Sequence, residues 1–203
     1  FRLLDYEVVS AFAKENLIYE SLELSKDKTR QFHNAIFVGY DPEGKARHAH
    51  KKGIYTMGKS YRGNLESSDP RYSFHWNGKS SEVFVFEAPI DMLSYISLHK
   101  NGWKEHSYVA LCGVGSQALF QLLQDHPELK KIHLCLDHDL AGLKAAERIQ
   151  ERLAEAGYPD VRMELSTWKD WNEDIKATHG MEAVPAEEKP PPEMAEERTL
   201  QMA

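Results

Sequence analysis

Residues 132–142, Ile132-His-Leu-Cys-Leu-Asp137-His-Asp139-Leu-Ala-Gly142, decide how the rest of the chain is read. The apolar run Ile132–Leu136 predicts a short buried strand, and Leu140–Ala156 predicts a long helix ending near Gly157. Between them stand two acids two positions apart, so in extended chain their side chains share a face. Carboxylates placed this way repel each other unless a cation lies between them. A hard divalent ion such as Mg²⁺, with Mn²⁺ as a substitute, meets that need with oxygen ligands and keeps positions open for phosphate. The plainer reading of an isolated Asp-x-Asp is a solvated turn, so the neighbouring elements must decide.

Outward from this junction the pattern repeats. Val83–Phe86, Tyr108–Leu111 and Val161–Leu165 are further short apolar runs, separated by helical patterns over Ile90–His99 and Ser116–Gln124. Strands alternating with helices predict βαβ units and a mostly parallel sheet covered on both faces, with ligands at the carboxyl ends of the strands. Those ends carry the notable residues. Glu87 leaves the first strand and Asp91 follows one helical turn later, past Pro89, although acids there also suit a helix amino terminus. Gly113 and Ser116 stand at the second junction, where backbone N–H groups can approach a phosphate and the serine can cap the helix. After the fourth strand, Lys169 offers a phosphate contact, and Asp170 or Asn172 a cap for the last helix.

Residues 1–80 read as a small α+β unit. Val8, Val9, Phe12 and Ala13 fall at helical spacing, and Leu17–Tyr19 is a short strand. Asn34–Tyr40 and Ala46–His50 form a hairpin about the turn Asp41-Pro42-Glu43-Gly44, with Pro second and Gly last. Tyr72–Trp76 predicts one more strand. Residues 179–203 are Pro/Glu-rich and are expected to be a disordered tail.

Hydrophobic residues make up 41% of the 203 and charged ones 28%, ordinary for a soluble globular protein. No apolar run reaches the ~20 residues that cross a bilayer, and no secretory leader is visible. The two cysteines, Cys112 and Cys135, sit in apolar surroundings, so a cytoplasmic protein with buried free thiols is expected. Phe1 in place of Met fits an excised part of a longer protein. The net charge of −7 is unevenly spread: residues 1–80 carry +3 and residues 181–203 carry −4. Residues 45–79 hold eight Lys/Arg against Glu66 and Asp69. Lys45, Arg47, Lys51, Lys52, Lys59, Arg62 and Arg71, interleaved with aromatics such as Tyr55 and Tyr61, are expected to track a nucleic-acid backbone. Tyr72, Phe74 and Trp76, at alternate positions, point instead to a small core.

Taken together, Phe86-Glu87-Ala88-Pro89-Ile90-Asp91 after one strand and Leu136-Asp137-His138-Asp139-Leu140-Ala141-Gly142 after the third resemble the Toprim domain of bacterial primases, topoisomerases and some nucleases. The resemblance covers roughly residues 81–175, and the continuation Ala141-Gly-x-Lys-Ala-Ala146 is similar to the primase branch. Residues 1–80 resemble the uncharacterised segment that precedes Toprim in primase-like proteins of plasmids and conjugative elements. The implied fold is α/β: a Toprim-type, Rossmann-like sheet of about four mostly parallel strands flanked by helices over residues 81–178, preceded by the small basic α+β subdomain. The resemblance makes Glu87 the catalytic glutamate, Asp137 and Asp139 the metal-binding aspartates, and Asp91 a further acid of the site. Gly113 matches the glycine after the second strand. It implies Mg²⁺-dependent nucleotidyl transfer, with single-stranded DNA or RNA, nucleotides and other replication or mobilisation proteins as partners and no membrane. Ala88-Pro89 and His138 depart from the usual pattern, but neither removes an acid.

Two other readings stay open: a Toprim nuclease that uses the same acids with water as nucleophile, and a non-catalytic DNA-binding or assembly module. A topoisomerase is disfavoured because no nucleophilic tyrosine can be assigned. A phosphatase of the haloacid-dehalogenase type carries its Asp-x-Asp after the first strand, whereas here a glutamate-bearing strand comes first.

Overall fold

The computed structural model describes residues 2–25, 27–54, 61–113 and 115–187. Helix α1 (Tyr6–Lys14) starts where Asp5 Oδ1 accepts from the N–H groups of Glu7 and Val8, at 2.9 and 3.1 Å. It turns Val8 and Phe12 inward, both fully buried. Strands β1 (Ile18–Leu24), β2 (Gln31–Tyr40), β3 (Ala46–Gly53) and β4 (Arg62–Asn64) follow as an antiparallel sheet in that order. The Asp41–Gly44 turn joins β2 to β3: Gly44 N–H reaches Asp41 O at 2.9 Å, and Gly44 takes φ of 77°. The Asp41 side chain secures the turn by accepting from Lys45 N–H at 2.8 Å and Arg47 Nε at 2.5 Å.

A second sheet has the order β5-β7-β6-β8-β9, formed by β5 (His75–Trp76), β6 (Glu82–Phe86), β7 (Ser107–Ala110), β8 (Lys131–Leu134) and β9 (Asp160–Met163). The last four are mutually parallel, as the sequence predicts, and β5 joins them antiparallel at the edge. Helices α2 (Pro89–Leu98) and α5 (Trp171–Thr178) cover one face; α3 (Gln117–Asp125) and α4 (Leu140–Glu155) cover the other. Strand β6 is buried on both sides: Phe84 and Phe86 enter the α2/α5 core, while Val83 and Val85 enter the α3/α4 core. That two-sided burial is why it reads as an unbroken apolar run. Cys112 and Cys135 are free and buried.

Two differences from the sequence reading matter. Residues 73–76, read as part of the front unit, pair with the rear sheet: Ala110 N–H bonds Phe74 O at 2.9 Å, and the Ser73 hydroxyl donates to Ala110 O. Phe74 and Trp76 thereby meet Phe12 of α1, so aromatics from both halves share one core. Residues 181–187, assigned to the tail by composition, run back beside the Asp137–Asp139 loop. Lys169 N–H bonds Val184 O at 3.0 Å, and Glu187 N–H bonds His138 O at 2.9 Å. Glu187 Oε2 also accepts from Leu140 N–H at 3.1 Å, serving an amino-terminal donor of α4 that the helix itself leaves open. The rest of the expected tail, residues 188–203, lies outside the described residues.

Candidate active site

Two neighbouring parallel strands deliver the acids to one edge. Glu87 follows β6, Asp137 follows β8, and Asp139 is the N-cap of α4, where its Oδ1 accepts from Gly142 N–H at 2.8 Å. The free oxygen of Asp139 lies 2.9 Å from Lys169 Nζ, and Asp137 Oδ2 lies 3.6 Å from the same nitrogen. One ammonium thus stands between the two aspartates, the position in which the sequence calls for a cation. Asp137 Oδ1 is buried without a hydrogen-bond partner. Asp91 is buried in the first turn of α2, and Asp170 caps α5 by accepting from Glu173 N–H at 2.8 Å.

The electrostatics follow from this crowding. Burial, then Glu87 and Asp170, push the Asp137 carboxyl up to about 7. Burial and the charge of Asp139 raise Glu87, and burial with Asp170 and Asp137 raises Asp91 well above the carboxylate range. Asp139 moves the other way. Burial opposes its charge, but the Gly142 N–H and the Lys169 ammonium outweigh that and hold it below the usual value. Burial likewise opposes the charge on Lys169, yet its bond to Asp139 and the field of Asp137 raise it.

Across a cleft of about 130 Å³ the front sheet presents cations. Lys52 on β3 and Arg62 on β4 are register partners, and both line the cleft with Glu87, Asp91 and Asp137. Like charges directly opposite on an antiparallel pair are unfavourable unless anions face them. Burial, then Arg2 and Arg62, lower the pKa of Lys52, and the charges of Asp91 and Asp170 offset this only in part. On β3 the pleat turns Arg47 and Lys51 to the face opposite Lys52, and Arg71 lies in a 3-10 turn at Pro70–Tyr72. Lys51 pairs with Glu23 at 2.8 Å, Arg47 with Asp41, and Arg71 with Asp69 at 2.7 Å. Lys45 is exposed in the turn, and Lys59 and Tyr55 lie outside the described residues.

Several expected roles come out differently. Ser116 occupies the N-cap position of α3 without a side-chain cap; its hydroxyl accepts instead from Arg152. A side chain at Gly113 would meet nothing within 4 Å, so no close approach requires that glycine. Gly142 is the constrained one. A Cβ there would lie 2.1 Å from Asp137 O, because the helix start packs directly on the acidic loop. Gly142→Ala is expected to cost ~1–3 kcal/mol of stability through overpacking, read as a lower urea midpoint, and to weaken Mn²⁺ binding by displacing Asp137. Lys169 pairs with the aspartates, and His138 Nδ1 donates to Ser166 O at 2.7 Å, pinning the loop. Arg2, His50 and Asn172 also line the cleft, with Arg2 Nη1 donating to Asn172 Oδ1 at 2.9 Å. No pattern around Arg2 marks it in the sequence. His50 could have been found from its period-two relation to Lys52 on β3.

Among the described residues no three His, Cys, Asp or Glu side chains converge as a ready metal cage. The donors still fit a hard divalent ion: they are carboxylate oxygens, one is buried and unpartnered, and they repel one another.

Residues 84–175 match the family described as Toprim-like, and residues 1–80 match one described as Protein of unknown function (DUF3991). An uncharacterized protein of Bacillus anthracis is 28% identical over 198 residues, covering 86% of this chain and 54% of its own length. The chain spans about half the length of the curated relatives it matches. Among solved structures, the primase fragment of the bacteriophage T7 primase-helicase superposes with a TM-score of 0.63 at 18% identity, covering 88% of this chain and 68% of that one. The E. coli primase catalytic core gives a TM-score of 0.55 at 14% identity, covering 98% and 70%.

Proposed function

Residues 84–175 being a Toprim-like domain on the fold of primase catalytic cores, we propose that this protein is a Mg²⁺-dependent nucleotidyltransferase that joins nucleotides on a nucleic-acid template. One observation carries the reading: Asp137, one of whose carboxyl oxygens is buried without a hydrogen-bond partner, lines a cleft with Glu87 and Asp91, opposite the adjacent cations Lys52 and Arg62. Several acids share the Lys169 ammonium, and two like cations stand directly opposite each other on paired strands, so one cleft has use for a further cation and a further anion. A metal–polyphosphate complex would supply both.

Asp137 and Asp139 would hold the ion, with Glu87 and Asp91 as further oxygen donors. When bound, it supplies neutralisation of phosphate charge and alignment of the reacting groups. Lys52 and Arg62 bind the phosphates from the other wall. Glu87, whose raised pKa suits proton exchange nearer neutrality, takes the proton of the attacking hydroxyl as pyrophosphate leaves. Lys169 orients Asp139, and α4 fixes it through Gly142. The resemblance of residues 1–80 supports a place in mobile-element replication or transfer, with other replication or mobilisation proteins as partners. No helix among the described residues is long and apolar enough to cross a membrane, and a cytoplasmic setting is part of the same proposal.

Incubation with single-stranded DNA or RNA, nucleoside triphosphates and Mg²⁺ or Mn²⁺ should yield short primers. Shortened template without synthesis would convert the reading to a nuclease using the same acids. Neither product, with nucleic-acid binding unchanged by Asp137→Ala/Asp139→Ala, would leave a non-catalytic binding module.

A further inference from the structure

Glu87 has a cleft on each side. Opposite the acidic cleft lies a larger groove of about 270 Å³ between α4 and the loop that leads from β7 into α3, also walled by Glu87. Its floor is apolar, formed by Leu111, Leu136 and Ile149, all buried. One face of α4 lines its length, with Ala141 and Ala145 at the Glu87 end and Arg148 and Arg152 at the far end. These positions fall at helical spacing, so the stripe changes from small to cationic as it leaves the acid. Arg152 is held by the Ser116 hydroxyl and by the Phe120 ring, with its guanidinium carbon 4.5 Å from the ring centroid. Arg148 makes a 3.3 Å contact to Lys144 O.

We propose that this groove is a second nucleotide site that holds the acceptor nucleotide. Two guanidinium groups suit a phosphate, which they engage in fork geometry. The flat apolar floor suits a base, and small side chains at Ala141 and Ala145 leave room for a sugar. Polarity fixes the orientation. The Glu87 carboxylate repels phosphate, so the phosphate lies at the arginine end and the sugar hydroxyl faces Glu87. The inference takes its ligand class from the proposed nucleotidyl transfer, and it places two nucleotides on opposite sides of the residue that exchanges the proton. The occupant could be a free mononucleotide or the terminal nucleotide of a strand; both present the same chemistry.

Binding measured by calorimetry in the presence of a chelator separates this groove from the metal-dependent cleft. The probes are AMP, ATP and a 5′-phosphorylated dinucleotide. Wild type should bind at least one of them, and tighter binding of the dinucleotide than of AMP would identify a strand end as the occupant. Arg148→Ala/Arg152→Ala should weaken binding by about ten-fold or more, since two charge-assisted contacts are lost. Arg148→Glu leaves the Arg152–Ser116 bond in place, and Ala145→Leu fills the groove; both should weaken binding in the same direction. Asp137→Asn/Asp139→Asn should bind within about two-fold of wild type, since neither residue lines the groove. No metal-free binding by wild type, or groove variants that bind as wild type, would overturn the proposal. So would equal loss in the aspartate variant. Primer synthesis that fails while the groove variants still abolish binding rejects nucleotidyl transfer and leaves the groove assigned.

Discussion

Asp137→Asn is expected to reduce metal-dependent synthesis by at least ~10²-fold, the scale of losing a metal's charge stabilisation, while stabilising the metal-free protein at alkaline pH. The two effects have one cause. In the folded chain the Asp137 carboxyl is pushed up to about 7 from the usual 3.8. Between those values the folded chain binds a proton that the unfolded chain has released, so stability falls as pH rises through the window. Glu87 and Asp91, also raised, act with the same sign. Asp139, held low, acts with the opposite sign, and its contribution is lost only as pH falls below the ordinary carboxylate range. Lys169 and Arg62 offset part of the repulsion without removing it.

Thermal melts of wild type and Asp137→Asn between pH 5 and 8, with and without Mg²⁺, read this directly. Without metal the wild-type midpoint should decline relative to the variant as pH rises. Mg²⁺ should restore the wild type and leave the variant unmoved, because an ion that binds the ionised folded state stabilises it by mass action. Asp139→Asn should behave differently. Asparagine caps α4 as well as aspartate does, but the Lys169 pair is lost, so activity falls with no gain of stability at pH 8. Parallel pH slopes for wild type and Asp137→Asn would sink the account of the acidic cluster.

The acids were legible because they sit where backbone direction is fixed by a buried strand. Glu87 and Asp137 leave β6 and β8, whose apolar runs are unambiguous, and the carboxyl ends of parallel strands are brought to one edge by topology alone. The cations were less legible. Seven were candidates, and of the six among the described residues only Lys52 and Arg62 line the cleft, a selection that rests on the β3 pleat and on pairing with β4. Strand β4 spans only Arg62–Asn64, too short for any periodicity to announce it. The strap at residues 181–187 was hidden for another reason. Its contacts include backbone hydrogen bonds to Lys169 and His138, which composition does not encode, and Pro/Glu content alone points to disorder.

Phe12→Ala is expected to destabilise the protein by ~3–5 kcal/mol and to lower the melting midpoint by roughly 10 °C, in a single transition. Phe12 lies on α1 of the front half, yet its ring stacks on Trp103 at 5.5 Å and packs against Phe74 at 5.3 Å and Trp76 at 5.0 Å. Phe37 of β2 joins the same cluster through Phe74 at 5.2 Å. A cavity at Phe12 therefore opens between the two sheets, where rigid neighbours from both cannot collapse to fill it. Tyr6→Ala on the same helix is the control: its side chain is 83% exposed, and the change should stay within about ±0.5 kcal/mol. The front sheet carries Lys52 and Arg62, while the rear sheet carries Glu87 and Asp137. Their facing across one cleft depends on the aromatic joint. Phe12→Ala should thus also depress synthesis at temperatures where the variant remains folded, although Phe12 does not line the cleft. Two separate melting transitions, with only the earlier one shifted, would show that the halves fold independently and that the joint does not set the cleft.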